Sequence, residues 1–286
     1  MAIIVKNLTY IYNEGLPFET VAVDDVSFEI NDNEFVGIIG HTGSGKSTLI
    51  QHLDGLLKPK TGNVVVNGTD ITEKDVKLRD IRRKIGLVFQ YPEYQLFEET
   101  VEKDVAFGPV NLGLNKEEVE ERVAEAIELV GLDFDEVAGR SPFELSGGQR
   151  RRIAIAGVIA MRPEVLIMDE PTAGLDPQGH RDILEMIKTI QTRRKSIVIL
   201  VSHNMGDIAR LADKVLVMHK GKLVLSGTPR EVFRHADMLA RIGLGLPPAT
   251  QFMIEMKKRG ADVATDILSL EEAEAEIINY LKGRKQ

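Results

Sequence analysis

The stretch GIIGHTGSGKSTLIQHL, residues 37–53, constrains this chain more than any other. It fits G-x-x-x-x-G-K-[ST] at Gly40, Gly45, Lys46 and Ser47, follows the β-branched, apolar residues 35–39, and runs into a helix-like segment. Glycines let the backbone turn through conformations closed to other residues, so the N–H groups of Gly40, His41, Thr42, Gly43, Ser44 and Gly45 can converge on phosphate oxygens while the helix N-terminus adds a favourable dipole. Lys46 would neutralise the outer phosphates, Ser47 would offer its hydroxyl to Mg²⁺, and Thr48 would add a phosphate hydrogen bond. A strand, this loop and a helix are therefore expected in immediate succession, holding a nucleoside triphosphate with magnesium.

Residues 165–170, VLIMDE, read as a buried strand ending in two carboxylates. Alone, that is the ordinary pattern of a strand entering a polar turn. Beside the phosphate loop, Asp169 becomes the candidate that completes the Mg²⁺ site. Glu170 should point differently, because side chains alternate along a strand, and is the candidate that orients and polarises an attacking water. Hydrolysis, and not binding alone, is expected.

Other apolar segments set the architecture. Residues 3–8, 21–30 and 64–67 are short and rich in β-branched residues, and the first two show the partial alternation of a half-buried sheet. Residues 85–89, 165–168, 197–201 and 215–218 are unbroken apolar bursts separated mostly by helical stretches, the pattern of parallel strands covered on both faces. An α/β fold is expected. Asn115 and Glu118 form a capping-box pair ahead of Val119, Val123, Ile127 and Val130 at helical spacing, so about residues 97–162 should form a helical insert. Thr228 with Glu231 opens another helix, GLGLPP at 243–248 interrupts the chain, and Ser269 with Glu272 caps a last helix, so 228–286 reads as a small helical C-terminal domain.

Composition excludes several classes. The absence of cysteine removes disulfides, thiolate metal sites and cysteine nucleophiles, leaving carboxylates, His, Lys and hydroxyls. A formal net charge of −8 argues against a general nucleic-acid binder. The longest nearly unbroken apolar run, residues 153–161, is far short of the roughly 18 residues that span a bilayer. MAIIVKNLTY carries no secretion signal, so a cytoplasmic location is expected.

Between the two candidate sites lies Leu145-Ser146-Gly147-Gly148-Gln149. LSGGQ, the phosphate loop and VLIMDE together resemble ABC-transporter ATPases, over about residues 3–227. Further elements fall in the family's order: Tyr12 resembles the adenine-stacking aromatic, Gln90 follows residues 85–89, AGLD at 173–176 is similar to the D-loop, and His203 follows residues 197–201. Taken singly, LSGGQ reads as a linker, His203 as a packed histidine and Tyr12 as a sheet residue; the order of the motifs carries the inference. The resemblance implies a P-loop NTPase with a mixed sheet core, an antiparallel β subdomain and a helical subdomain, spanning 1–227. It implies head-to-tail dimers in which Ser146 and Gly148, flanked by Gly147 and Gln149, contact the γ-phosphate held by the other subunit's Lys46. It further implies that His203 contacts the γ-phosphate and helps hold the water, that Gln90 senses Mg²⁺ and the water, and that Asp176 links the two sites.

A closer resemblance rests on FQYPEYQLF at 89–97, HTGS at 41–44, AGLD and the GLGLPP-containing tail. These are similar to the ATPases of energy-coupling factor transporters, which import vitamins or metal ions, and in particular to the second of the paired ATPases. That implies ATP and Mg²⁺ as ligands and a peripheral location on the cytoplasmic face of the membrane. The implied partners are a second ATPase subunit, related or identical, a transmembrane coupling subunit and a substrate-binding membrane subunit, with no nucleic acid. The coupling subunit would dock on residues 91–97, with Tyr94 and Leu96 exposed. Residues 13–20 lengthen the loop after Tyr12, which weakens the adenine-stacking assignment. Another class of ABC transporter remains an alternative. A DNA-repair or chromosome ATPase would carry a long coiled coil, a translation factor two modules, and a regulatory module would not need Glu170 and His203. The basic clusters 150–152 and 193–195 are expected to be solvated helix faces or ends, and Ala273, Ile277, Tyr280 and Leu281 of the last helix to pack within the protein or a dimer.

Overall fold

A computed structural model describes residues 2–73 and 75–283; Met1, Lys74 and 284–286, the outer limits of the expected domains among them, lie outside the described residues. The strands are β1 (Ile3–Tyr12), β2 (Thr20–Ile30), β3 (Phe35–Ile39), β4 (Thr61–Val66), β5 (Thr69–Asp70), β6 (Ile85–Val88), β7 (Val165–Asp169), β8 (Ile197–Val201), β9 (Lys214–His219) and β10 (Lys222–Gly227). The helices are α1 (Lys46–Leu53), α2 (Leu78–Arg82), α3 (Val101–Asn111), α4 (Lys116–Leu129), α5 (Phe134–Val137), α6 (Gly147–Ile159), α7 (Pro177–Arg194), α8 (Met205–Leu211), α9 (Pro229–Phe233), α10 (Ala236–Arg241), α11 (Pro248–Lys258) and α12 (Leu270–Gly283).

Two sheets result. One is antiparallel, in the order β2-β1-β4-β5; the other runs β10-β9-β3-β8-β7-β6, parallel except at its β10 edge. Its central strands explain their own composition. Val36, Ile38, Val165, Ile167, Ile197, Ile199 and Val201 face a core shared with the antiparallel sheet and with Leu49, Ile50 and Leu53 of α1. Phe35, Ile39, Leu166, Met168, Val198 and Leu200 face a second core built with α3, α4, α6 and α7. Alternate side chains thus enter two different apolar layers, which is why these strands show no polar alternation.

Between β6 and β7 the chain runs through α3 to α6, with a reciprocal capping box between Asn115 and Glu118. Neither β5, two residues long, nor β10, a half-buried edge strand, is expected from the sequence. At the C-terminus, Val232, Phe233, Leu239 and Leu244 join the larger core, whereas Ala249, Met253, Val263, Ile267 and Ala273 form a cluster of their own. In α12, Ala273 is buried and Ile277 and Tyr280 pack against that cluster, but Leu281 is exposed.

Three expectations about exposure fail. Arg151 is not on a solvated face: its side chain is 3% exposed and ion-paired. Arg194 pairs with Glu125 while Arg193 and Lys195 face solvent. Leu96 is buried, at 6% exposure, because it belongs to the larger core.

Candidate ATP site

Register brings the site together. Ile38 of β3 lies opposite Val201 of β8, Asp169 of β7 opposite that same Val201, and Val88 of β6 opposite Met168. The C-terminal ends of four strands are therefore level, and the phosphate loop, His203, Glu170 and Gln90 leave them side by side. Ligand crevices in open α/β sheets form at such ends.

The loop is closely fitted. Gly40 has φ +155° and Gly45 φ +101°, and a Cβ at either would stand 2.3 Å from the Met218 carbonyl or 2.2 Å from that of Ala22. Only glycine meets both conditions. Lys46 Nζ, buried, donates to the carbonyls of Gly40 at 2.6 Å and His41 at 2.9 Å. Burial holds its pKa below the usual lysine range, while the Glu170 and Asp169 carboxylates act to raise it.

Ser47 Oγ donates to Asp169 Oδ2 at 3.1 Å. Burial raises the Asp169 carboxyl above its ordinary range, against the Ser47 hydrogen bond and the nearby Lys46 and His203. Glu170 lies one residue beyond β7 with φ +51°, so a left-handed turn, and not strand alternation, aims its side chain. A non-glycine residue in that region carries strain of the kind found at functional sites. Gln90 Nε2 donates to Glu170 Oε2 at 3.3 Å, and His203 Nε2 stands 2.6 Å from Glu170 Oε1. Thr42, Gly43, Gly45, Lys46, Ser47, Thr48, Gln90, Asp169, Glu170 and His203 line one cavity of about 270 Å³.

Other expected site residues lie outside that lining. Gly40, His41 and Ser44 belong to the loop, whose turn is closed by Ser44 N–H donating to the His41 carbonyl at 3.0 Å. Tyr12 ends β1 with its hydroxyl 3.4 Å from Thr48 Oγ1, beside the phosphate loop's helix. Ser146, Gly147 and Gly148 are exposed at the start of α6, where Ser146 and Gln149 form a reciprocal capping box. Asp176 caps α7 by accepting from Gly179 N–H at 3.3 Å. Ser146, Gly147 and Gly148 thus face outward, away from this cavity, while Leu145 before them is buried in the larger core.

Sequence reasoning missed Arg151. It sits two residues after LSGGQ, bonds both Glu93 and the carbonyls of Pro171 and Ala173, and so reaches the turn after Glu170. Its position beside the motif was the available signal, masked by neighbouring arginines.

Sheet, loop and acidic strand end define a nucleotide-hydrolysing P-loop protein: residues 23–173 match the ABC transporter family, to which the chain belongs. The solved structure of cbiO1 from Clostridium perfringens, part of the ABC transporter complex cbiONQ, superposes with a TM-score of 0.75 at 36% identity, covering 88% of this chain and 98% of that one. The ATP-binding cassette MJ0796, in a dimeric post-hydrolysis state bound to ADP and Pi, gives 0.70 at 29% identity over 79% of this chain and 98% of that one. More particularly, the chain is 62% identical to the energy-coupling factor transporter ATP-binding protein EcfA2 of Caldanaerobacter subterraneus subsp. tengcongensis, over 100% of this chain and 99% of the relative. It is 57% identical to the EcfA2 of Clostridioides difficile, over 99% of each. It belongs to the energy-coupling factor ATP-binding proteins, and it binds and hydrolyses ATP.

Proposed function

We propose that this chain energises an energy-coupling factor importer for vitamins or metal ions by hydrolysing ATP at the cavity between the phosphate loop and Glu170. The observation that carries the reading is the contact of Glu170 with both Gln90 and His203. Glu170 is the general base that orients and deprotonates the attacking water, His203 holds Glu170 and the γ-phosphate, and Gln90 reports on the same carboxylate. Lys46 and the loop N–H groups, from Gly40 to Thr48, take the phosphates. Tyr12 stacks on the adenine.

Ser47 and Asp169 would hold Mg²⁺. Their 3.1 Å contact and the raised Asp169 carboxyl suit a cation, whose charge would favour the carboxylate form. Bound there, it would neutralise charge on the β- and γ-phosphates.

The outward Ser146-Gly147-Gly148-Gln149 stretch suits a head-to-tail dimer in which it and Asp176 complete the partner's site. The chain divides into an ATPase domain and, from 228 onward, a helical C-terminal domain; the separate cluster from Ala249 to Ala273 supports the latter, while Val232, Phe233, Leu239 and Leu244 pack it onto the larger core. Among the described residues no helix is long and apolar enough to cross a membrane. The energy-coupling factor reading assigns transport to membrane subunits that meet this chain at the cytoplasmic face. Their docking surface is the turn after Gln90, where Tyr91, Tyr94 and Phe97 are exposed beside Phe107. Capture of the tagged full chain from its own membranes should recover a related ATPase and membrane proteins that take up substrate in ATP-loaded vesicles. Recovery of the chain alone, or uptake indifferent to ATP, would reject the reading.

A further inference from the structure

We propose that His180 is a positioning residue for ATP hydrolysis, holding through Asp207 the helix that begins at Asp176 against the helix that follows His203. His180 Nε2 stands 2.7 Å from Asp207 Oδ2. Neither residue lines the ATP cavity.

The pair joins two helix starts. Asp176 is the N-cap of α7, and His180, in the first turn, donates its N–H to the Asp176 carbonyl at 2.9 Å. Asn204, next to His203, is the N-cap of α8, and its side-chain oxygen accepts from the N–H groups of Gly206 at 2.9 Å and Asp207 at 3.2 Å. One imidazole–carboxylate contact therefore locks together the first turns that orient Asp176 and His203. Beyond those turns both helices are anchored in the core by Ile183, Leu184, Ile208 and Leu211. Displacement of either first turn is resisted by the other.

Asp207 needs this partner. It is largely buried, burial pushes its carboxyl above the ordinary range, and His180 is the group that offsets this by charge and hydrogen bond, with a smaller contribution from Arg210. Without the ring, a buried carboxylate would lack its side-chain hydrogen-bond partner and would turn toward water. The C-terminal segment covers the pair: a Cβ at Gly206 would stand 3.4 Å from Pro248 Cδ, and Pro248 and Ser269 bound a cavity of about 350 Å³ shared with His180 and Asp207.

The inference rests on the roles proposed above for Asp176 and His203. It is tested by steady-state ATPase assays on the full-length chain in its dimer. His180→Ala should lower kcat about tenfold with KM for ATP changed less than about twofold. His180→Gln, whose amide N–H reaches the position of Nε2, should restore most of the rate, and adding Asp207→Asn to His180→Ala should cost little more. Unchanged kcat in His180→Ala, no rescue by Gln, or additive losses overturn the proposal. Amide hydrogen exchange separates a local from a global effect. The first turns of α7 and α8 should exchange faster in His180→Ala while β7 and β8 keep their protection, and loss of protection in those strands overturns it too. Full turnover in a Glu170→Gln control would fault the site assignment, and the exchange result would still decide whether His180 holds the two turns together.

Discussion

Arg151 holds both carboxylate oxygens of Glu93, Nε donating to Oε2 at 3.0 Å and Nη2 to Oε1 at 2.7 Å. Its Nη1 donates to the carbonyls of Ala173 at 2.6 Å and Pro171 at 3.2 Å, and its guanidinium lies 5.7 Å from the centre of the Tyr91 ring. One buried cation thus ties the helix that opens within LSGGQ to the turn after Gln90 and the turn after Glu170. The turn that carries the exposed Tyr94 and the turn after Glu170 therefore share one buried contact residue.

Glu93→Gln should destabilise the fold by about 3 kcal/mol near neutral pH, because it leaves a buried guanidinium without its counter-charge. Burial alone would raise the Glu93 carboxyl, but the Arg151 hydrogen bonds bring it below the usual range. A depressed carboxyl contributes stability above its unfolded pKa and loses it as pH falls through the folded value. The difference between parent and variant should therefore shrink on acidification, and denaturant titrations at several pH values measure it.

Glu170→Gln should keep ATP affinity, lose at least about 100-fold in turnover and accumulate as a nucleotide-bound dimer. Binding, phosphate release and size-exclusion measurements on one preparation check all three. Equal hydrolysis rates for variant and parent would remove Glu170 from the mechanism.

Lys46→Ala should fail earlier, at binding, because the outer phosphates lose their principal positive charge. Calorimetric titration with ATP reads this directly, and an unchanged affinity would contradict the phosphate-loop assignment.

Asp54, at the C-terminal end of α1, is pushed up to about 7 from an ordinary 3.8 by burial, with Arg82 pulling it down. The folded state keeps a proton that the unfolded chain releases, so this group's contribution is greatest below the unfolded pKa and is lost as pH rises through 7. Asp54→Asn should thus be stabilising by about 3 kcal/mol above that range and near neutral in acid, as thermal unfolding across pH would show.

Tyr94 and Leu96 should part company. Tyr94 is 84% exposed, so Tyr94→Ala should leave stability within about 0.5 kcal/mol of the parent while weakening membrane-subunit binding. Leu96→Ala should cost about 2–5 kcal/mol, since its side chain fills the larger core. Intact transport after Tyr94 and Phe97 are both replaced would rule out docking at this turn.

The sequence by itself determined what depends on local chemistry. Gly40 and Gly45 are legible because only glycine takes their backbone angles so close to neighbouring carbonyls, Lys46 and Ser47 follow at fixed spacing, and the caps at Asn115, Ser146 and Thr228 mark helices through contacts three residues apart. The apolar bursts announced buried parallel strands. Tertiary structure decided what depends on long-range register. It levelled the ends of β3, β8, β7 and β6 so that His203 and Gln90 meet Glu170, and it gave Glu170 the left-handed turn that aims it. It also buried Arg151, whose partner Glu93 lies 58 residues away, and Leu96, which looked fit for a surface. A charge or an apolar side chain has no fate of its own in the sequence; the desolvation it suffers and the partner that offsets it are set only when distant segments close around it.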